Sequence, residues 1–196
     1  MWALVALLCA LVASGCSDSS GPSGPSSPSP SASPSAKGGT AGSEGKKAVA
    51  RTIEGGCGDT EIRMGAPPDW NARPAGFSGG TADMPYVVGD RDQIMGFLWE
   101  HPMTPKAAAL KNGGDGNKVL WFVRSAREGK PLTIRANPHG AQRPVLDLSF
   151  PANSGPGEIY PSDIGVPRPG CWTFELSWGA HRDEVDLNFI AEKGTS

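Results

Sequence analysis

Pro169-Gly170-Cys171-Trp172-Thr173-Phe174-Glu175-Leu176-Ser177-Trp178, followed after a short polar stretch by Val185-Asp186-Leu187-Asn188-Phe189, decides the fold class of this 196-residue chain. Trp172, Phe174, Leu176 and Trp178 occupy every second position, with Thr173, Glu175 and Ser177 between them. A strand sends successive side chains to opposite faces, so this spacing builds one aromatic wall and one wet wall. Val185, Leu187 and Phe189 repeat the pattern, with Glu184, Asp186 and Asn188 opposite. Residues 179–183 have the length of a hairpin loop. The expectation is an antiparallel two-strand ribbon whose apolar face the rest of the domain must cover.

Upstream segments supply that cover. Residues 117–124 contain Val119-Leu120-Trp121-Phe122-Val123, and five apolar residues in a row imply a central strand buried on both faces. Further strands are expected at 48–54, at 57–64, and at 94–100, the last carrying Phe97 and Trp99. Two more fall at 131–136, with Leu132 and Ile134 inward, and at 143–150, with Leu146, Leu148 and Phe150 on one side. One helix signal stands out: Thr104 as N-cap, Pro105 at the first helical position, an Ala/Leu-rich run to Lys111, and Gly113 to close it. Residues 65–92 and 151–168 are rich in Gly, Pro, Ser, Asn and Asp and read as a long loop and a crossover. About seven strands separated by turns, with at most one short helix, make an all-β antiparallel sandwich.

Four cysteines are present, and their positions separate them by role. Residues 1–15 are an almost unbroken apolar run, too short for a membrane span and suited to a signal-peptide core. Cys9 would leave with it. Small residues Ala13-Ser14-Gly15 precede Cys16, an arrangement that resembles the bacterial lipobox, in which the cysteine is diacylated and becomes the new N-terminus. Ala13 stands where Leu or Val is usual, and no Lys or Arg precedes the apolar core. The resemblance implies that Cys16 carries an acyl anchor in the lipid bilayer. Residues 16–47 are mostly Ser, Pro and Gly, cannot bury apolar area to offset ordering entropy, and suit a disordered stalk between anchor and domain. The remaining domain, 48–196, keeps Cys57 and Cys171, an even pair that in an oxidising compartment reads as a disulfide.

The run from Pro169 to Leu176 resembles the late strand of bacterial immunoglobulin-like domains, which implies an immunoglobulin-like sandwich. More closely, Asn117-Lys118-Val119-Leu120-Trp121-Phe122-Val123-Arg124 and residues 169–189 are similar to an uncharacterised family of actinobacterial lipoproteins, over roughly residues 94–190. That family transfers no reaction to named residues. No Tyr stands two positions before Cys171, and Cys57 lies in the first strand region, so the usual inter-sheet disulfide is not implied.

Chemistry-bearing residues are sparse. A formal net charge of −2 with scattered Lys and Arg argues against nucleic acid. Gly76-Phe77-Ser78-Gly79-Gly80 matches G-x-S-x-G, yet it lacks the buried strand before and helix after that expose a hydrolase serine. His181 with Asp183 could complete a triad with Ser78 on paper, but both fall at the expected hairpin tip. Extracytoplasmic copper or zinc handling would draw on His101, Met103 and His181, although a site needs three or four converging ligands; otherwise His101, His139 and His181 are solvated loop residues. Among the tryptophans, Trp99, Trp121, Trp172 and Trp178 are expected in the core, and Trp70 either is an exposed contact or staples its loop. Arg124, Arg127 and Arg135 are expected to be solvated. The expectation is a lipid-anchored, extracytoplasmic, non-catalytic binding or scaffolding module for a cell-envelope protein partner, with no cofactor.

Overall fold

The structure, a computed structural model, describes residues 49–74, 76–77, 80–107 and 114–192. The ribbon forms as β9 (Gly170–Trp178) and β10 (His181–Phe189), paired so that Val185 lies opposite Phe174 and Leu187 opposite Trp172. Its turn is shorter than the sequence suggested, with only Gly179 and Ala180 between the strands and Gly179 at a φ of 57°. Glycine takes such a left-handed position at no steric cost, which permits the two-residue connection. His181 and Asp183 therefore lie on the strand rather than at a hairpin tip.

Eight strands precede the ribbon: β1 (Arg51–Cys57), β2 (Thr60–Met64), β3 (Tyr86–Val88), β4 (Ile94–Leu98), β5 (Asn117–Val123), β6 (Leu132–Pro138), β7 (Leu146–Phe150) and β8 (Ile159–Ile164). They complete an all-β sandwich of two antiparallel sheets, ordered β1-β2-β3-β4-β5-β8 and β10-β9-β6-β7. Strands β4 to β10 alone follow an immunoglobulin-like Greek key. In it β5 pairs with β8 in one sheet, while the last hairpin and the β6–β7 hairpin build the other. Strands β1 and β2, expected from the sequence, and the unexpected β3 extend the first sheet beyond that key.

Two strands were hidden in expected loops. β8 carries Pro161, which cannot donate to a ladder, and it is tolerated because β8 is an edge strand paired only with β5. β3 has only three residues. The helix signal at Thr104 is not realised where it can be followed. Asn117 takes both backbone groups of Thr104, its Oδ1 accepting from the Thr104 N–H at 3.2 Å and its Nδ2 donating to the Thr104 carbonyl at 2.8 Å. Lys106 then turns left-handed at a φ of 54°. Residues 108–113, the rest of that expected helix, lie outside the described residues.

The inter-sheet core gathers Ile94, Leu98, Val119 and Trp121 from the first sheet against Ile134, Trp172, Phe174 and Leu187 from the second. Fully burying one such side chain stabilises by roughly 1.5–3 kcal/mol. Gly96 on β4 makes room for the Trp121 ring, because a Cβ there would lie 2.6 Å from it. The run in β5 is buried on both faces as expected: Trp121 points into this core, while Phe122 joins Tyr86, Met95 and Phe97 on the outer face. The 65–85 segment folds over that outer face and packs Trp70, Phe77 and Met84 on it. Trp70 is a staple, its Nε1–H donating to Asp92 at 2.9 Å. Among the other tryptophans, Trp121, Trp172 and Trp178 are buried and Trp99 is 49% exposed. Arg124 and Arg135 are solvated, whereas Arg127 is largely buried, bonded to Glu158 and lying over the Tyr160 ring.

Candidate functional site

An edge strand with free backbone groups invites unwanted pairing, and β10 avoids this by being bridged along its length. The Asp90 N–H donates to the Glu184 carbonyl, the Asp186 N–H donates to the Thr60 hydroxyl at 2.8 Å, and the Ile190 N–H donates to the Met103 carbonyl. Two aspartates on this strand are the centres of the bridging.

Asp183 is 4% exposed and accepts four backbone N–H groups: Arg91 and Glu184 on Oδ1, Gln93 and Ile94 on Oδ2, at 2.8–3.1 Å. It fastens the β3–β4 loop to β10. Gly89 lies against it, and a Cβ there would overlap the carboxylate.

Asp186 shares the outer face of the second sheet with Thr173, its direct cross-strand partner, and with Cys171 on the same face of β9. Oδ1 accepts the Thr173 hydroxyl at 2.6 Å and lies 3.1 Å from His139 Nδ1; Oδ2 accepts the Asp59 N–H at 3.2 Å. His139 follows β6, donates its N–H to the Cys171 carbonyl and is half-exposed, its Nδ1 also 3.1 Å from Thr173 Oγ1. The turn after β1 closes the arrangement: Gly58, at a φ of 56°, comes so near that a Cβ would overlap the Asp186 carboxylate. Cys57 is joined to Cys171 in a disulfide spanning 114 residues. Donor atoms of His139, Cys171 and Asp186 all lie within 4.8 Å of one another. The expected wet wall is therefore covered at this end.

Carboxylates crowd this side of the molecule. Burial, then the charges of Asp183, Asp186 and Asp59, push the Asp90 carboxyl above its ordinary range, with Arg91 opposing. Burial, then Asp186, Asp90 and Glu175, do the same to Glu184.

The metal candidates named from sequence are not brought together. His101 hydrogen-bonds the Glu54 carbonyl at 2.9 Å, Met103 is buried beside Phe189 at one end of β10, and His181 stacks on Trp178 at the other. Eight residues of strand put those ends roughly 26 Å apart. His139, Thr173 and Asp186 were missed as a group. The signal that finds them is register: Asp186 falls opposite Thr173 only in the two-residue hairpin, and pairing Pro138 with Trp172 brings His139 to Cys171. Cys16 and Ser78 lie outside the described residues.

A second feature lies on the far edge of the first sheet. Trp99, Leu120, Ile159 and Pro161 line an open, mostly apolar groove of about 450 Å³ with Lys118 and Asp163 on its border. The chain matches no family model, no curated protein and no solved structure.

Proposed function

We propose that this chain is a lipid-anchored, extracytoplasmic binding module that holds a protein of the cell envelope and carries out no catalysis. The observation that carries the reading is the groove at Trp99 and Leu120 on a domain closed by the Cys57–Cys171 disulfide. A disulfide supports an oxidising compartment, in keeping with the apolar leader, Cys16 and the Ser/Pro/Gly stalk. An indole half in water on the wall of an apolar groove suits an anchoring contact, since aromatic side chains dominate interface energetics. The partner it fits presents an apolar side chain to Trp99 and a charged border to Lys118 and Asp163.

The test is cross-linking in intact cells followed by pull-down, comparing wild type with Cys16→Ala and Trp99→Ala. A stoichiometric envelope protein captured by the wild type and lost in both variants is the expected outcome. Capture unaffected by Trp99→Ala would remove the groove from the reading. Turnover of a substrate that a single side-chain change abolishes would replace binding by catalysis.

A further inference from the structure

Cys57 and Cys171 close the sandwich, and closure alone asks for nothing around the sulfurs. Yet a histidine and a buried carboxylate face them. A ring nitrogen of His139 and an Asp186 oxygen lie within 4.8 Å of Cys171 Sγ and of each other, and Cys57 is bonded to Cys171. Asp186 is held in place by the Thr173 hydroxyl and the Asp59 N–H, and His139 by its own backbone bond to Cys171. None of these contacts uses a sulfur atom.

We propose that the disulfide masks a metal site: once reduced, Cys57 and Cys171 join the His139 imidazole and Asp186 to bind one zinc ion. Two thiolates, an imidazole and a carboxylate are a tetrahedral zinc donor set. Bond lengths of 2.0–2.3 Å place the donors of such a site about 3.3–3.8 Å apart, so His139, Cys171 and Asp186 draw in from within 4.8 Å and the freed Cys57 sulfur turns toward them. In the oxidised state neither sulfur is a thiolate, and the set has two donors. The unmasking step is thiol–disulfide exchange with a dithiol donor. The donor's two thiols become its own disulfide, two electrons and two protons pass to Cys57 and Cys171, and the metal then displaces both thiol protons. Thr173 and the Asp59 N–H become the outer partners that orient the carboxylate on the metal.

Cobalt(II) serves as the spectroscopic probe, on full chain carrying Cys9→Ser and Cys16→Ser so that the two domain cysteines are the only thiols. After reduction with a phosphine, one equivalent of cobalt should produce thiolate-to-cobalt charge-transfer absorption that zinc abolishes. Oxidised chain should show none. His139→Gln, at a half-exposed position whose loss leaves the core intact, should weaken cobalt binding by more than about tenfold. The proposal is overturned if reduced chain shows no charge-transfer band, or if His139→Gln binds as tightly as the parent. It is equally overturned if reduced chain loses its near-ultraviolet circular dichroism and cobalt does not restore it.

Discussion

Asp183 and Asp186 sit three residues apart on one strand, are 4% and 5% exposed, and live in opposite kinds of environment. An odd separation puts them on opposite faces of the sheet. Asp183 is surrounded by backbone: its four N–H donors are two from the β3–β4 loop, the first of β4 and the next residue of its own strand. Asp186 is surrounded mainly by side chains that can change state, a histidine, a hydroxyl and a disulfide sulfur. The same residue type, equally buried, is a structural knot among backbone groups on one face and part of a side-chain cluster beside the disulfide on the other. Burial alone does not tell a site from a scaffold; the nature of the partners does.

Removing the knot is expected to have the largest effect. Asp183→Ala takes the acceptor from the buried Ile94 N–H and from the part-buried Arg91, Gln93 and Glu184 N–H groups, and a fully buried orphan costs about 1–3 kcal/mol. We expect a loss of about 4 kcal/mol or more in denaturant unfolding, while Asp186→Ala, which strands one backbone donor and one hydroxyl, loses about half as much. Equal losses would erase the distinction. Next in size is the disulfide: a Cys57→Ser/Cys171→Ser chain should lose about 3 kcal/mol, below the roughly 4.7 that the chain-entropy model gives for a loop near 100 residues. Calorimetry in zinc-free buffer measures it, and a loss under about 1 kcal/mol would mean that the β1–β2 hairpin is held by the Asp186 contacts alone.

The two glycines that lie against these carboxylates sharpen the comparison. Gly89→Ala is expected to cost about 2 kcal/mol through overlap with Asp183, and to cost almost nothing in an Asp183→Ala background. Gly58→Ala overlaps Asp186 but also sits at a φ of 56°, so in an Asp186→Ala background it should still cost about 1 kcal/mol. The pair of double-mutant cycles separates steric conflict from backbone conformation. Full rescue at both positions would show that conformation is not limiting at Gly58.

The sandwich was legible because its strongest signals are periodic. Trp172 to Trp178 and Val119 to Val123 declare their faces without reference to anything distant. What was hidden depends on pairing. β8 reads as a loop because Pro161 and its flanking turns break the pattern, and only its place at the edge beside β5 makes it a strand. Thr104 reads as a helix cap because the acceptor and donor that satisfy its backbone come from Asn117. The cluster at Asp186 joins residues from β1, the turn after β6, β9 and β10, and a slip of one residue in the last hairpin would turn Asp186 away from Thr173. The cysteine pair was legible as a disulfide, but its histidine and carboxylate neighbours were not.

The smallest expected effect concerns the charge that both aspartates impose on their surroundings. Asp90 is raised first by burial and then by Asp183, Asp186 and Asp59, and Arg91 only partly offsets this. A carboxyl whose folded value lies above its unfolded one binds more protons in the folded state, so stability falls as pH rises through that interval. The penalty is complete above the folded value and gone below the unfolded one, near pH 4. Asp90→Asn removes it and should stabilise near neutral pH, by less than about 1 kcal/mol because the group is exposed. The gain should fade as the medium is acidified toward about pH 4, where the wild-type carboxyl is itself protonated. Thermal unfolding of both chains across that range measures it. A variant less stable than wild type near neutral pH would mean that attraction to Arg91 outweighs burial and the three aspartates, reversing the sign of the field assigned to this face.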